Sequence, residues 1–184
     1  MHTTQALLQP RVPAGQEAMV DNLLGAIAER VGFVPDGLRL FSISPPLLES
    51  YVKNIAYFNG GSALSPQLTA MIRYLVSYRV GCNFCIDLNE TFLTAMGVDL
   101  ERVRAARDDI EQAPLDASEM PLLRLAVKAV SDPEQVNSAD LAAAHQQGWS
   151  DRDIFDAVVQ AANNRAFNLV MRTFKVEHQG TFAS

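Results

Sequence analysis

Histidine, cysteine and tryptophan are scarce in this chain, at three, two and one in 184 residues. A structural zinc site needs four ligands, usually Cys and His. His2, His145 and His178 lie far from the cysteines and from one another in sequence, without ligand spacing, so neither a metal nor a cofactor is expected. Basic residues are also in deficit: 15 Lys and Arg stand against 21 Asp and Glu, a net charge of -6. No basic run offers phosphates a patch, which argues against a nucleic-acid partner. No apolar run approaches the roughly 18 residues of a membrane helix, which argues against a membrane. The start, MHTTQALLQPRVPAGQ, lacks the basic n-region and apolar h-region of an export signal. The expected compartment is therefore the cytoplasm, where thiols are kept reduced and a permanent structural disulfide is out of place.

What is present is ordinary globular material, 48% apolar and 20% charged, enough for one domain over 1–184 with a substantial core. Residues 1–14 read as an arm. Met19, Leu23, Ile27 and Val31 recur at helical spacing before Gly32. A Pro35-Asp36-Gly37 turn leads into a short helical stretch, LRLFSIS, and Pro45-Pro46 opens a helix that Gly60-Gly61 closes. Ser65 is an N-cap with Pro66 at the first helical position, and Leu68, Ile72, Leu75 and Val76 form a buried stripe that ends at Gly81. A new helix opens at Cys82, completing a core pair over about 65–97. Asp99 caps the next helix. The C-terminal half, about 118–176, holds a helix stopped at Pro133, a short one closed by Gly148, and the longest helix, entered through a Ser150–Asp153 capping box. Almost nothing reads as strand: the expected class is all-α, a bundle of about seven to eight helices.

The only cysteines, Cys82 and Cys85, sit in RVGCNFCIDLNETF. Two cysteines scattered at random would fall three apart about 1% of the time, so the pairing carries information. At a helix start, free N–H groups and the positive end of the helix dipole stabilise a thiolate, the reactive form. Two intervening residues let the sulfurs close into a small, reducible disulfide suited to cycling. The plain alternative is a pair of small buried hydrophobes.

A CxxC preceded by a strand would point to a thioredoxin-like fold; here a helix precedes it. Helix, Gly, CxxC, helix resembles the carboxymuconolactone decarboxylase and alkylhydroperoxidase D family. LLRLAVKAVSDPEQVNSADLAAAHQQGWSDRDIFDAVVQAANNRAFNLVMR is similar to the C-terminal half of its peroxidase-related branch, and the likeness covers roughly residues 40–176. The resemblance implies an alkylhydroperoxidase D-like helical bundle, a homo-oligomer (dimer, trimer or hexamer), and reduction of hydroperoxides by Cys82 and Cys85. It also implies a Glu twelve residues before the first Cys and a His four after the second, as a proton relay. Ala70 and Asn89 occupy those positions, and neither exchanges a proton near neutral pH.

Asn89 shares the cysteine face of its helix, seven and four residues on from Cys82 and Cys85. Arg73, Tyr74 and Ser77 share the side of Ala70 and are candidate supporting residues of the same pocket. Asp87 and Glu90 point away from that face and read as solvated. Arg79, three residues before Cys82, is a cation able to lower a thiol pKa or simply to reach water. Asn164, Asn168 and Arg172 make an i, i+4, i+8 row facing another subunit, the cysteine pocket or solvent.

Two functions follow. One is a slow thiol-dependent oxidoreductase acting on a small hydroperoxide or disulfide, regenerated by a reductant protein or a small thiol. The other is a non-catalytic helical oligomer with a degenerate site, serving as a binding or assembly scaffold. Lactone decarboxylation ranks last, since it requires proton handling for which no placed His or acid is found.

Overall fold

The computed structural model describes residues 5–182; His2 and the first four residues of the expected arm lie outside them. The described residues form nine α-helices: α1 Glu17–Val31, α2 Asp36–Phe41, α3 Pro45–Phe58, α4 Pro66–Val80, α5 Asn83–Ala95, α6 Leu100–Ala105, α7 Met120–Ser131, α8 Ser138–Gln146 and α9 Asp151–Thr173. Single 3-10 turns occupy Ile110–Gln112 and Pro133–Gln135. There is no strand among the described residues. The two six-residue helices, α2 and α6, bring the number above the seven to eight expected. α2 begins at Asp36 rather than after Gly37, because the Pro35 carbonyl already accepts from the N–H groups of Leu38 and Arg39. No described helix is long and apolar enough to cross a membrane.

Local chemistry sets the helix starts. Ser65 Oγ accepts from the Leu68 N–H at 3.0 Å, with Pro66 following it, and Asp99 accepts from the Glu101 N–H at 2.9 Å. Ser150 and Asp153 form a reciprocal capping box, and Asn137 with Asp140 forms a second one at α8. Each such cap is worth about 1 kcal/mol, because it satisfies N–H groups the first turn leaves without partners.

α4 is the central helix, packed against α5, α7 and α9. Its residues from Leu68 to Leu75 are almost continuously buried, as expected of a helix with neighbours around most of its circumference. Leu122, Leu123 and Ala126 of α7 and the small Ala157 and Ala161 of α9 complete that core. A second cluster gathers Val20 and Ile27 of α1, Leu38 and Leu40 of α2, Leu48 of α3, Phe84, Phe167 and Met171, and includes both cysteines. α9 therefore spans both cores, its first half in one and its second half in the other. The cysteines lie where α1–α3 close over the α4–α5 junction.

Gly37 shows how tight that closure is. A Cβ there would fall 2.5 Å from Phe167 Cζ and 3.0 Å from both Met171 Sδ and Phe84 Cε1. A methyl group at this position must push aromatic rings off their seats, so Gly37→Ala should destabilise the chain by about 1–3 kcal/mol. Urea unfolding will read this as a lower midpoint at unchanged slope.

Candidate functional site

The site is built at the α4–α5 junction. Gly81 ends α4 in the left-handed region (φ 74°), where a side chain is strained. This turn lets the Cys82 N–H reach back to the Ser77 carbonyl at 3.0 Å. Cys82 is then the extended residue before α5, its carbonyl accepting the first helical bond from the Ile86 N–H at 2.9 Å. Cys85 follows one turn on. The two sulfurs are 2.8 Å apart, both cysteines are free, and they are 1% and 2% exposed. That separation is a short movement from the roughly 2.05 Å of a bonded pair.

The two thiols are shifted in opposite directions. Cys82 is lowered from the ordinary thiol value chiefly by the hydrogen bond from the Cys85 thiol, against the opposing effect of burial; the Cys85 N–H, the Arg172 charge and the Asn168 amide add to it. Cys85 is raised, first by its hydrogen bond to Cys82, then by burial and by the charge Cys82 carries. The helix mouth thus favours charge on Cys82 over Cys85.

An amide network backs the sulfurs. Asn168 is fully buried; its Nδ2 donates to Ser77 Oγ at 3.1 Å and its Oδ1 accepts from Asn164 Nδ2 at 3.1 Å. Asn164 Nδ2 also reaches the Arg73 carbonyl at 3.0 Å and Ser77 Oγ at 3.1 Å, and Ser77 Oγ donates to the Arg73 carbonyl at 2.6 Å. Arg172, the last of the row, is exposed and donates from Nη1 to the Val80 carbonyl at 2.6 Å. The cation acting on Cys82 is thus Arg172. Arg79 instead points outward and donates to Ser131 Oγ.

A cavity of about 350 Å³ opens beside Cys85, lined also by Tyr51, Arg73 and Asn89 and by apolar side chains such as Phe58, Leu88 and Phe92. Cys82 is not in its wall. The Tyr51 ring stacks on Phe167 at 5.1 Å between centroids and leans on Phe41 at 5.0 Å. Burial raises the Tyr51 hydroxyl pKa, which Arg73 lowers and Cys85 raises further. Burial pushes the Arg73 guanidinium down to about 10.

The sequence-derived candidates fall into different places. Arg73 lines the cavity, while Ser77 lies behind it in the amide network. Asn89 is buried and lines the cavity, but its Nδ2 donates to the Cys85 carbonyl at 2.8 Å rather than to a thiolate, and its Oδ1 accepts from Arg73 Nε at 2.9 Å. Ala70 is fully buried.

Tyr74 is elsewhere. Its hydroxyl donates to Glu90 Oε1 at 3.0 Å and accepts from Arg107 Nε at 2.6 Å; burial and then Glu90 push it up to about 12. Glu90 is not solvated as its helical angle suggested. Arg104 and Arg107 close on its two oxygens at 2.7 and 2.8 Å. The wheel angle is right, but the face away from the cysteines meets α6 and the residues after it rather than water. Tyr51 and Arg30 also line the cavity, and no motif in the sequence links α1 or α3 to the cysteines.

The Arg104 hydrogen bond holds the Glu90 carboxyl below its ordinary value. The sign follows: this pairing stabilises the fold above the ordinary carboxylate range and is lost as pH falls through the lowered value. Glu90→Gln should lower the unfolding midpoint at pH 7, and its difference from the parent should shrink below about pH 4. Thermal unfolding of both chains from pH 7 to 3 checks this.

No family model matches the chain, and no curated protein matches it in sequence. Solved structures do. An uncharacterized peroxidase-related protein from Silicibacter sp. TM1040 superposes with a TM-score of 0.83 at 21% identity, over 95% of this chain and 94% of that one. An uncharacterized peroxidase-related protein with an alkylhydroperoxidase AhpD core, from Ralstonia eutropha JMP134, gives 0.82 at 17% identity, over 97% and 95%. The debrominase Bmp8, solved alone and as a cysteine-to-alanine variant in complex with 2,3,4-tribromopyrrole, gives 0.70 at 16% identity, over 94% and 91%. The helix order, the central α4–α5 pair and these superpositions agree: the chain has the alkylhydroperoxidase AhpD-like, all-helical fold of the peroxidase-related proteins.

Proposed function

We propose that this chain is a thiol-dependent oxidoreductase that reduces a small hydroperoxide, or a disulfide, at the Cys82–Cys85 pair. The observation that carries the reading is the 2.8 Å sulfur separation at the start of α5, with Cys85 in the wall of a cavity of about 350 Å³. Cys82 holds the charge and Cys85 meets the substrate, so the Cys85 proton moves to Cys82 as Cys85 attacks.

With a hydroperoxide, the Cys85 sulfur bonds to the hydroxyl oxygen of ROOH and the O–O bond breaks. The alkoxide leaves as ROH with a proton that solvent supplies through the cavity, which replaces the one Cys82 gave up on ionising. Cys82 then attacks the Cys85 sulfenic acid, the S–S bond forms and water leaves. Two thiols and ROOH thus give a disulfide, ROH and water, and an outside thiol or reductant protein reopens the pair. Ala70 and Asn89 supply no relay, so turnover is slow, by a factor on the order of 10²–10⁴ relative to a site with positioned proton transfer.

One equivalent of tert-butyl hydroperoxide added to reduced protein should remove both thiols per chain and form an intramolecular disulfide. Cys82→Ser and Cys85→Ser should each prevent it. Equal peroxide consumption by all three chains would remove the enzyme reading. The near-complete burial of both sulfurs favours a second reading, a helical scaffold; two unreactive thiols titrating at ordinary values would support it.

A further inference from the structure

In a chain of net charge -6, the cavity beside Cys85 is lined by two arginines, Arg30 and Arg73, and by no Asp, Glu, Lys or His among the described residues. Arg30 is exposed and rests on the Asn59 carbonyl at 3.4 Å. Arg73 is the inner cation. Among the described residues no carboxylate pairs with it, and its one side-chain hydrogen bond runs from Nε to Asn89 Oδ1 at 2.9 Å. That bond fixes the plane of the guanidinium and leaves both Nη groups uncommitted. No buried side-chain nitrogen or oxygen among the described residues lacks a partner, so those Nη groups open on the cavity, as does the Tyr51 hydroxyl. A guanidinium held in one plane beside an apolar wall is the fork that receives a carboxylate through two parallel N–H bonds.

We infer that the cavity is built for a small organic acid, its carboxylate on the Arg73 Nη groups and the Tyr51 hydroxyl, its apolar body against Phe58, Leu88 and Phe92, and the atom to be reduced facing Cys85. A volume of about 350 Å³ lies at the small end of ligand sites, which fits a single ring or a short chain and not a cofactor. As the substrate class of the thiol chemistry, this inference rests on the function proposed above; as a ligand class, it stands on the cavity alone. Asn89 acquires a role in it. It stands where a histidine base would be and instead clamps the cation.

The test compares iodoacetate with iodoacetamide as alkylating agents at Cys85, with glutathione as the free-thiol reference. Cys82 and Cys85 share the tryptic peptide Val80–Arg102, and fragmentation assigns the modified sulfur. A change in thiol ionisation affects both reagents alike, so the rate ratio isolates the pull on the carboxylate. The iodoacetate to iodoacetamide ratio should exceed that of glutathione by about tenfold, fall to it in Arg73→Gln and persist in Arg73→Lys. A ratio equal to that of glutathione in the parent chain, or unchanged in Arg73→Gln, overturns the inference.

If circular dichroism finds Arg73→Gln unfolded, calorimetry on the reduced parent chain decides. Tighter binding of 3-phenylpropanoate than of 3-phenylpropanamide, by about tenfold, supports the inference; equal binding overturns it. Neither readout involves peroxide. A failed turnover assay with a raised ratio leaves an anion site without redox function, and the converse leaves a redox site for neutral substrates.

Discussion

Replacing Cys82 with alanine should slow alkylation of Cys85 by a neutral reagent at pH 7 by about 10- to 100-fold, the worth of one hydrogen bond to a charged sulfur. In the parent chain the pair releases its first proton below the ordinary thiol range, because each sulfur is the other's nearest partner at 2.8 Å. Reactivity should therefore persist as pH falls below that range and vanish only as pH drops through the lowered value. Without Cys82, burial is the larger remaining influence on Cys85 and raises it, against the smaller opposing pull of the Asn168 amide. Its reactivity should then appear only above the ordinary range. Cys85→Ala should fail differently. Cys82 keeps the helix mouth, Arg172 and Asn168 but has no place on the cavity wall, so a bulky maleimide should not reach it. Residual rates against pH, with iodoacetamide and with an aromatic maleimide, separate the two failures. A Cys85→Ala chain that reacts with the maleimide at the parent rate would make Cys82 the attacking sulfur.

The parts of the fold legible in the sequence are those fixed by neighbours in the chain. Ser65 with Pro66, Asp99, and Ser150 with Asp153 start helices through bonds spanning two or three residues. Gly81 followed by Cys82 is equally local, so the sequence alone assigns the sulfurs to the mouth of a helix. The cavity is a product of tertiary packing. Tyr51 comes from α3, more than a helix away in sequence, and lines the cavity beside Cys85 with its ring packed on Phe41 and Phe167. Glu90 departs from its expected solvation for a related reason. Periodicity tells which way a side chain points but not what stands there, and Arg104 and Arg107 stand there. Arg73 is set apart by lining the cavity with its Nε held on Asn89 and no acid beside it, an arrangement of space rather than of spacing.

Asn168→Leu should lower Cys85 alkylation at pH 7 by about tenfold while leaving the chain folded, and Asn168→Asp should lower both reactivity and stability, the latter by about 1–3 kcal/mol. The first expectation rests on which groups lose partners. Asn164 Nδ2 keeps the Arg73 carbonyl at 3.0 Å and Ser77 Oγ at 3.1 Å, and Ser77 keeps its bond to the Arg73 carbonyl. Leucine, branched in the same way though larger, therefore leaves no neighbour unpaired. The loss falls on the sulfurs, since the Asn168 amide favours the thiolate on both. Aspartate adds what leucine does not, a carboxylate buried beside a thiolate; each raises the pKa of the other, and the fold bears the cost of the unpaired charge. Iodoacetamide rates across pH and urea midpoints for the three chains give the answer. A leucine variant with the parent pH profile would show the Asn168 amide to be packing alone. An aspartate variant more reactive than the parent would mean that a carboxylate there works as a base, supplying the proton transfer that Ala70 and Asn89 do not.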